Sequence, residues 1–263
     1  MLVFLKLGGS LITEKDNPHT PRLATLTRLS DEIARAKLQN HDLQMVIGHG
    51  SGSFGHVPAS QYRTRLGVHT PKEWRGFVEV WREARALNQI VIESLLGAGL
   101  PVIAFPPSAS TVAQDGKMLS WDIRPLQIAL HKELIPVIAG DVILDTVRGG
   151  TILSTEELFV YLAQQLLPER ILIAGTEAGV WADFPHRTQL LQQITPANYQ
   201  KVAPNLQGSN ALDVTGGMAQ KVLSMLELVH KLPDLKVSIF TGAEPSLVYT
   251  ALKGEFPGTL ISL

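Results

Sequence analysis

The sequence predicts an α/β protein on a mainly parallel sheet, and three observations predict it. Short apolar runs of strand length recur along the 263 residues, stretches with helical periodicity separate them, and most runs are bounded by Gly or Pro. Strands that alternate with helices in this way form parallel sheets covered by helices, because each crossover helix must bury its apolar face.

The expected strands are residues 2–7, 43–47, 101–105, 135–138, 170–174 and 236–240, each a β-branched or apolar run. The expected helices are residues 24–38, 74–96, 123–132, 156–166 and 217–231. In the last, Met218, Val222, Met225, Leu226 and Val229 recur at three- and four-residue spacing and make one apolar face. Residues 142–147, the turn Arg148-Gly149-Gly150 and residues 151–154 read as an inserted β-hairpin. No repeat, low-complexity tract or linker is visible. The reading is one domain over 1–263, with a soft boundary near Leu167-Pro168 between lobes of about 1–167 and 168–263.

Composition narrows the function. Hydrophobic residues make up 45% and charged residues 18%, enough apolar content for a large core. Lys plus Arg number 23 against 24 Asp plus Glu, so no broad basic face is available for nucleic acid. The absence of cysteine removes disulfides, thiolate catalysis and Cys-ligated metals, and suits a reducing cytoplasm. The N-terminus lacks a signal-peptide pattern, and no apolar run approaches the ~20 residues that span a bilayer. The expectation is a soluble, cytoplasmic protein that binds no membrane.

Four segments join glycine to polar or cationic residues at strand ends or helix starts. The first is Lys6-Leu7-Gly8-Gly9-Ser10, with Thr13 and Lys15 just beyond it. Two glycines after a strand let backbone N–H groups approach phosphate oxygens, and the lysines supply cations to a phosphoryl group in transfer. A tight surface turn with solvated lysines would read the same way. The second, Gly48-His49-Gly50-Ser51-Gly52-Ser53-Phe54-Gly55-His56, contains a formal GxGxxG at Gly50, Gly52 and Gly55. A dinucleotide fold is disfavoured because the first strand lies elsewhere, no ribose-binding acid follows, and Pro58 falls where the helix should run on. His56, at the end of a phosphate loop, reads as a donor to an anionic substrate.

The third segment, Gly140-Asp141-Val142, sits at the carboxyl end of a strand, where α/β proteins bind ligands; Asp141 could equally cap the turn. In the fourth, Asp213-Val214-Thr215-Gly216-Gly217-Met218, a helix start presents free N–H groups, with Lys221 about one turn in. Gly175-Thr176-Glu177-Ala178-Gly179-Val180 is another strand-terminal loop, suited to a nucleotide. No P-loop, nucleophile elbow or metal cage of His and carboxylates is present, so a metal, if used, is Mg²⁺ carried in on nucleotide phosphates.

Together these motifs resemble the amino acid kinase superfamily and, within it, the isopentenyl phosphate kinases, over nearly the whole chain. The Gly52-Ser53-Phe54-Gly55-His56 run carries the sharper signal, because carboxylate kinases of the superfamily generally lack that histidine. The resemblance implies an open αβα sandwich and ATP-dependent conversion of isopentenyl phosphate to isopentenyl diphosphate for isoprenoid synthesis, usually by a homodimer. The N-terminal lobe would hold the acceptor and the C-terminal lobe ATP. His56 would bind the acceptor phosphate, with Ser51, Gly52, Gly55, Gly140 and Asp141 around it. Lys6 and Lys15 would stabilise the γ-phosphoryl group in flight. Gly8, Gly9, Ser10, Gly52, Thr176, Gly179, Asp183, Gly216, Gly217 and Lys221 would surround the nucleotide.

Phe77, Val78 and Trp81 are offered for the prenyl tail, although ordinary core is an equal reading for each. The chain departs from the family at Glu156, where an Asp usually orients the lysines, and at Glu177, where Asp is common. Two other functions fit the same loops: kinase of another small phosphate or phosphonate, such as fosfomycin, and a non-catalytic nucleotide sensor. Retention of Lys6, Lys15 and His56 argues against the sensor.

Overall fold

A computed structural model describes residues 1–14, 17–203 and 217–263. Strand β1 (Leu2–Leu7) is apolar because it is buried on both faces, and it turns at Gly8 into the single helical turn α1 (Gly9–Ile12). Helix α2 (Leu23–Gln39) buries Leu26, Leu29, Ile33 and Ala36 at helical spacing and leads to β2 (Gln44–His49). The chain then enters α3 (Gly52–Tyr62) and the long α4 (Pro71–Gly97), which starts at a Thr70/Glu73 capping box with Pro71 at its first position. Strand β3 (Val102–Ala104), a hairpin of β4 (Thr111–Gln114) and β5 (Lys117–Trp121), and α5 (Arg124–His131) precede β6 (Ile135–Ala139). A second hairpin, β7 (Asp141–Asp145) and β8 (Gly149–Leu153), leads into α6 (Thr155–Leu166) and β9 (Arg170–Gly175). Short strands β10 (Val180–Trp181), β11 (Leu190–Leu191) and β12 (Gln193–Ile194) run to α7 (Pro196–Val202). The last described stretch holds α8 (Gly217–Lys231), β13 (Lys236–Thr241), α9 (Leu247–Lys253) and β14 (Thr259–Ile261).

Among the described residues the main sheet has eight strands in the order β12-β14-β13-β9-β1-β2-β6-β3, parallel except for the β13–β14 pair. Alternation along β1 sends Val3, Leu5 and Leu7 to one face and Phe4 to the other. The first face packs on Leu29 and Ile33 of α2, Leu87 and Val91 of α4, and Val248 of α9. The second packs on Leu126 of α5, Phe159 of α6 and Val222 of α8, with the Phe4 and Phe159 rings 5.0 Å apart. The result is the expected open αβα sandwich. Leu167 ends α6 in the left-handed conformation (φ 50°) between α6 and β9, where the sequence places its soft boundary. The sheet itself crosses that point, since β1 lies between β2 and β9.

The inserted hairpin has company. The β7–β8 pair joins the β4–β5 pair in a second, four-stranded sheet, and the latter hairpin turns at Asp115-Gly116, both at positive φ. A second difference concerns Pro58, which lies inside α3 rather than ending it. The proline withholds one N–H, and burial of its neighbours Phe54 and Ala59 offsets the loss. The case against a dinucleotide fold therefore rests on topology: the glycine-rich loop follows β2, not the first strand.

Asp145 ties the two hairpins. Its buried carboxylate accepts N–H bonds from Asp115 (3.0 Å), Gly116 (2.7 Å), Val147 (2.8 Å) and Arg148 (2.8 Å). Asp145→Ala leaves these amides without their acceptor. It should lower unfolding free energy by about 3 kcal/mol, read as a drop in urea midpoint.

Candidate active site

The carboxyl ends of β1, β2, β6, β9 and β13 open into one cleft of about 1220 Å³. A parallel sheet presents its binding crevice there because the helices that follow the strands aim their N-termini into it. Gly9 of α1, Gly52 of α3, Thr155 and Glu156 of α6, and Gly217 of α8 all line the cleft.

Two glycine segments form its floor, backbone against backbone. A Cβ on Gly9 would lie 2.5 Å from the Gly52 nitrogen, and one on Gly52, which has φ 49°, would collide with Thr13. Only glycine permits that approach. Gly8 donates its N–H to the Ala174 carbonyl (2.8 Å) and Gly50 to that of Leu7 (3.0 Å), so β1, β2 and β9 fix both loops. Thr13, just beyond the first glycine segment, joins them: its Oγ1 donates to the Gly9 carbonyl (2.8 Å) and accepts from the Ser53 amide (3.0 Å). Among the described residues, the N–H groups of Gly9, Ser10, Ser51 and Gly52 have no hydrogen-bond acceptor. They are a set of donors for an anion.

Beside this floor lies a charged cluster. Lys6, at the end of β1, is 6% exposed, and its Nζ lies 3.0 Å from Glu156 Oε1. Lys221, one turn into α8, places its Nζ 3.5 Å from the same oxygen. The start of α6 explains why Glu156 is the residue that points there. Ser154 and Glu157 close a capping box, with Glu157 also held by Arg65, and Thr155 is buried against the floor. Burial works against charge on Glu156, but Lys6 and Lys221 overcome it and hold the carboxyl down at about 2. Among the described residues, two ammonium groups thus meet at one carboxylate in a sheltered part of the cleft.

His49, the last residue of β2, is fully buried under the glycine loop. Its Nδ1 lies 3.1 Å from the Gly50 carbonyl and its Nε2 2.9 Å from the Asn88 amide nitrogen. Burial, aided by the Lys6 charge and opposed by the Gly50 hydrogen bond, pushes its pKa down to about 4. The ring is neutral at pH 7.

The sequence matches the amino acid kinase family over residues 1–241. The chain belongs to the amino acid kinase family. It is 33% identical to isopentenyl phosphate kinase of Methanocaldococcus jannaschii over 270 aligned positions, which cover 99% of this chain and 98% of the relative. The identity to isopentenyl phosphate kinase of Haloferax volcanii is also 33%, over 99% and 98% of the two chains. A solved isopentenyl phosphate kinase structure superposes with a TM-score of 0.84 at 30% identity, over the whole of both chains. The product complex of the Thermoplasma acidophilum enzyme gives 0.78 at 25%, over 99% of this chain and all of that one.

Within the amino acid kinase fold, the cleft gathers Lys6, Gly8, Gly9, Ser10, Ser51, Gly52, Gly55, His56, Gly140, Asp141, Glu156, Thr176, Gly179, Gly217 and Lys221. Lys15 and Gly216, with Asp213 and Thr215, lie outside the described residues. Four expected residues stand away from the cleft lining. Phe77 packs with Val142 and against Trp74, Val78 is exposed, and Trp81 lies beneath the Arg85 guanidinium. The phase of α4 is the reason, because its buried stripe runs through Gly76, Val80, Ala84, Leu87 and Val91. Val80 and Ala84 line the cleft instead, with Ala59 and Ile152. Asp183 turns inward on its own loop and accepts from Thr188 Oγ1 (2.5 Å) and the Thr188 and Gln189 amides.

Two further groups are engaged within the protein. The Gly140 N–H is donated to Thr155 Oγ1 (2.9 Å). Glu177 is held by Arg187 (3.0 Å) and the Trp181 indole N–H (2.9 Å). Ser53 was missed as a site residue: it lines the cleft, and its buried Oγ lacks a partner among the described residues.

The low pKa of His49 has a stability consequence. Between pH 6.5, its value in an unfolded chain, and about 4, the unfolded state binds the proton and the folded state does not. His49 therefore contributes stability fully above about pH 6.5 and loses it as pH falls toward 4, by up to about 3 kcal/mol. Urea midpoints taken between pH 7.5 and 4.5 should fall in the wild type and fall less in His49→Gln.

Proposed function

We propose that the chain is an isopentenyl phosphate kinase. It transfers the γ-phosphoryl group of ATP to isopentenyl phosphate and releases isopentenyl diphosphate and ADP. One observation carries the reading: Lys6 and Lys221 meet at the buried carboxylate of Glu156, beside a floor of backbone N–H donors among the described residues. That arrangement attracts anions and offers no nucleophile of its own. The whole-length relatives that bear this name support it.

An oxygen of the acceptor phosphate attacks the γ-phosphorus in line, and the bond from that phosphorus to the β–γ bridging oxygen breaks. The attacking oxygen is already anionic, so positioning and charge neutralisation supply the rate without a strong base. His56 and the Ser51 and Gly52 amides hold the acceptor phosphate, near Gly55 and Asp141. Lys6, together with Lys15, neutralises the group in transfer. Lys221 and the Gly217 helix start hold the nucleotide phosphates, while Gly8, Gly9 and Ser10 line the passage between the two sites. Thr176 and Gly179 border the nucleotide. Ala59, Val80, Ala84 and Ile152 give the prenyl tail an apolar wall.

The described residues contain no group of three His, Cys, Asp or Glu side chains placed to hold a metal. Mg²⁺ would come with the ATP phosphates, where it would screen their charge. No helix among the described residues is long and apolar enough to cross a membrane. A cytoplasmic homodimer completes the proposal, supported by the family resemblance and the cysteine-free sequence.

Coupled ADP release with Mg-ATP tests the reading with isopentenyl phosphate, fosfomycin and no acceptor. Turnover with isopentenyl phosphate alone, with diphosphate seen by phosphorus NMR, is the expected result. Turnover with fosfomycin alone, or with neither acceptor despite ATP binding, would overturn it. His56→Ala should raise the acceptor KM about tenfold or more, since a hydrogen bond to a charged group contributes about 1.5–3 kcal/mol, and leave ATP affinity nearly unchanged. Lys6→Ala should instead lower kcat by about 10²–10³ with modest change in acceptor KM.

A further inference from the structure

We propose that His49, clamped by Asn88, is the positioning residue of the acceptor-phosphate loop and fixes the Gly50–Ser51 peptide so that its N–H faces the cleft. The inference rests on the functional reading above and goes beyond it, because His49 touches no substrate in that reading.

Hydrogen-bond chemistry sets the ring. A carbonyl only accepts, so Nδ1 donates to Gly50 O at 3.1 Å. With Nδ1 protonated in a neutral ring, Nε2 accepts, and the Asn88 side-chain amide donates to it at 2.9 Å. Both ring nitrogens are satisfied in a single tautomer, and the rest of the ring is buried. A trans peptide points its C=O and N–H in opposite directions. Drawing the Gly50 carbonyl inward, onto His49, therefore turns the Ser51 N–H outward, onto the cleft that Ser51 lines.

The backbone of His49 performs a second fastening. Its carbonyl accepts from Thr155 Oγ1 (2.6 Å), the residue next to Glu156. One buried residue thus couples β2, α4 and the first turn of α6 to the loop. An apolar residue would fill the same space without burying a polar ring, so core packing alone gives no reason for an imidazole here. A loop rich in glycine gives one. Its peptides can rotate freely unless something holds them, and a rotated Gly50–Ser51 peptide would aim a carbonyl oxygen at an incoming phosphate.

The test uses three replacements in the full chain. Asn places a donor near the Nδ1 position, Gln places its amide near Nε2, and Leu supplies neither. Acceptor KM should rise about tenfold in His49→Gln and His49→Leu and stay within about threefold of wild type in His49→Asn, with ATP affinity constant throughout. Asn88→Ala, which loosens the ring without removing it, should raise KM about threefold. If His49→Asn loses as much as His49→Leu, or if the variants lose only active fraction at unchanged KM, His49 is packing and the proposal is wrong. Should the wild type fail to turn over isopentenyl phosphate, the functional reading fails separately. Calorimetry with inorganic phosphate then decides the loop question, and the same ranking of affinities is expected.

Discussion

The site depends on one carboxylate. Glu156 Oε1 lies within 3.0 Å of Lys6 and 3.5 Å of Lys221, and those lysines come from opposite ends of the chain. Two ammonium groups this close would repel strongly in a sheltered cleft if nothing lay between them. With Glu156 present, β1, α6 and α8 converge on one carboxylate oxygen. Burial alone would push that carboxyl's pKa up, yet the two lysines hold it ionised. The fold therefore holds both ammonium groups at the cleft, where an incoming phosphate can meet them.

Backbone supplies the other half of the site. Gly9 and Gly52 pass so close that neither tolerates a Cβ, and the unused amides beside them face the same cleft as the lysines. Loops this pliable need restraint from below. Thr13 ties the two segments together, and His49, held by Asn88, ties the second to the core. Each tether is a buried polar side chain with its hydrogen bonds satisfied, the condition under which burial of such groups is tolerated.

Much of this was legible in the sequence because it rests on local patterns. Apolar runs ending in glycine mark β1, β2 and β9, and the lysines and glycines of the cleft sit at those ends. Glu156 as the lysine partner was legible only through the family resemblance; the Ser154/Glu157 capping box that fixes the first turn of α6 holds Thr155 and Glu156 between its ends. Other features depend on contacts that sequence spacing does not encode. The cleft-lining residues of α4 are Val80 and Ala84, not Phe77, Val78 and Trp81, because packing on α3 and the sheet sets the helix phase. Asp183 turns inward because Thr188 and Gln189 offer donors across its own loop. The β4–β5 hairpin did leave a signal, the Asp115-Gly116 turn between two short strands, and it was overlooked. Pro58 was misread because burial within α3 outweighs the hydrogen bond that proline withholds.

The most direct test of the central claim is the single-turnover rate of phosphoryl transfer in Glu156→Gln, measured with ATP affinity and circular dichroism on the same samples. Gln preserves shape but removes the charge that holds Lys6 and Lys221 in register. A folded variant that binds ATP at least as tightly as wild type but transfers about 100-fold more slowly is the predicted result. A folded variant that transfers within about twofold of the wild-type rate would contradict the account, because the lysines would then be placed without the carboxylate.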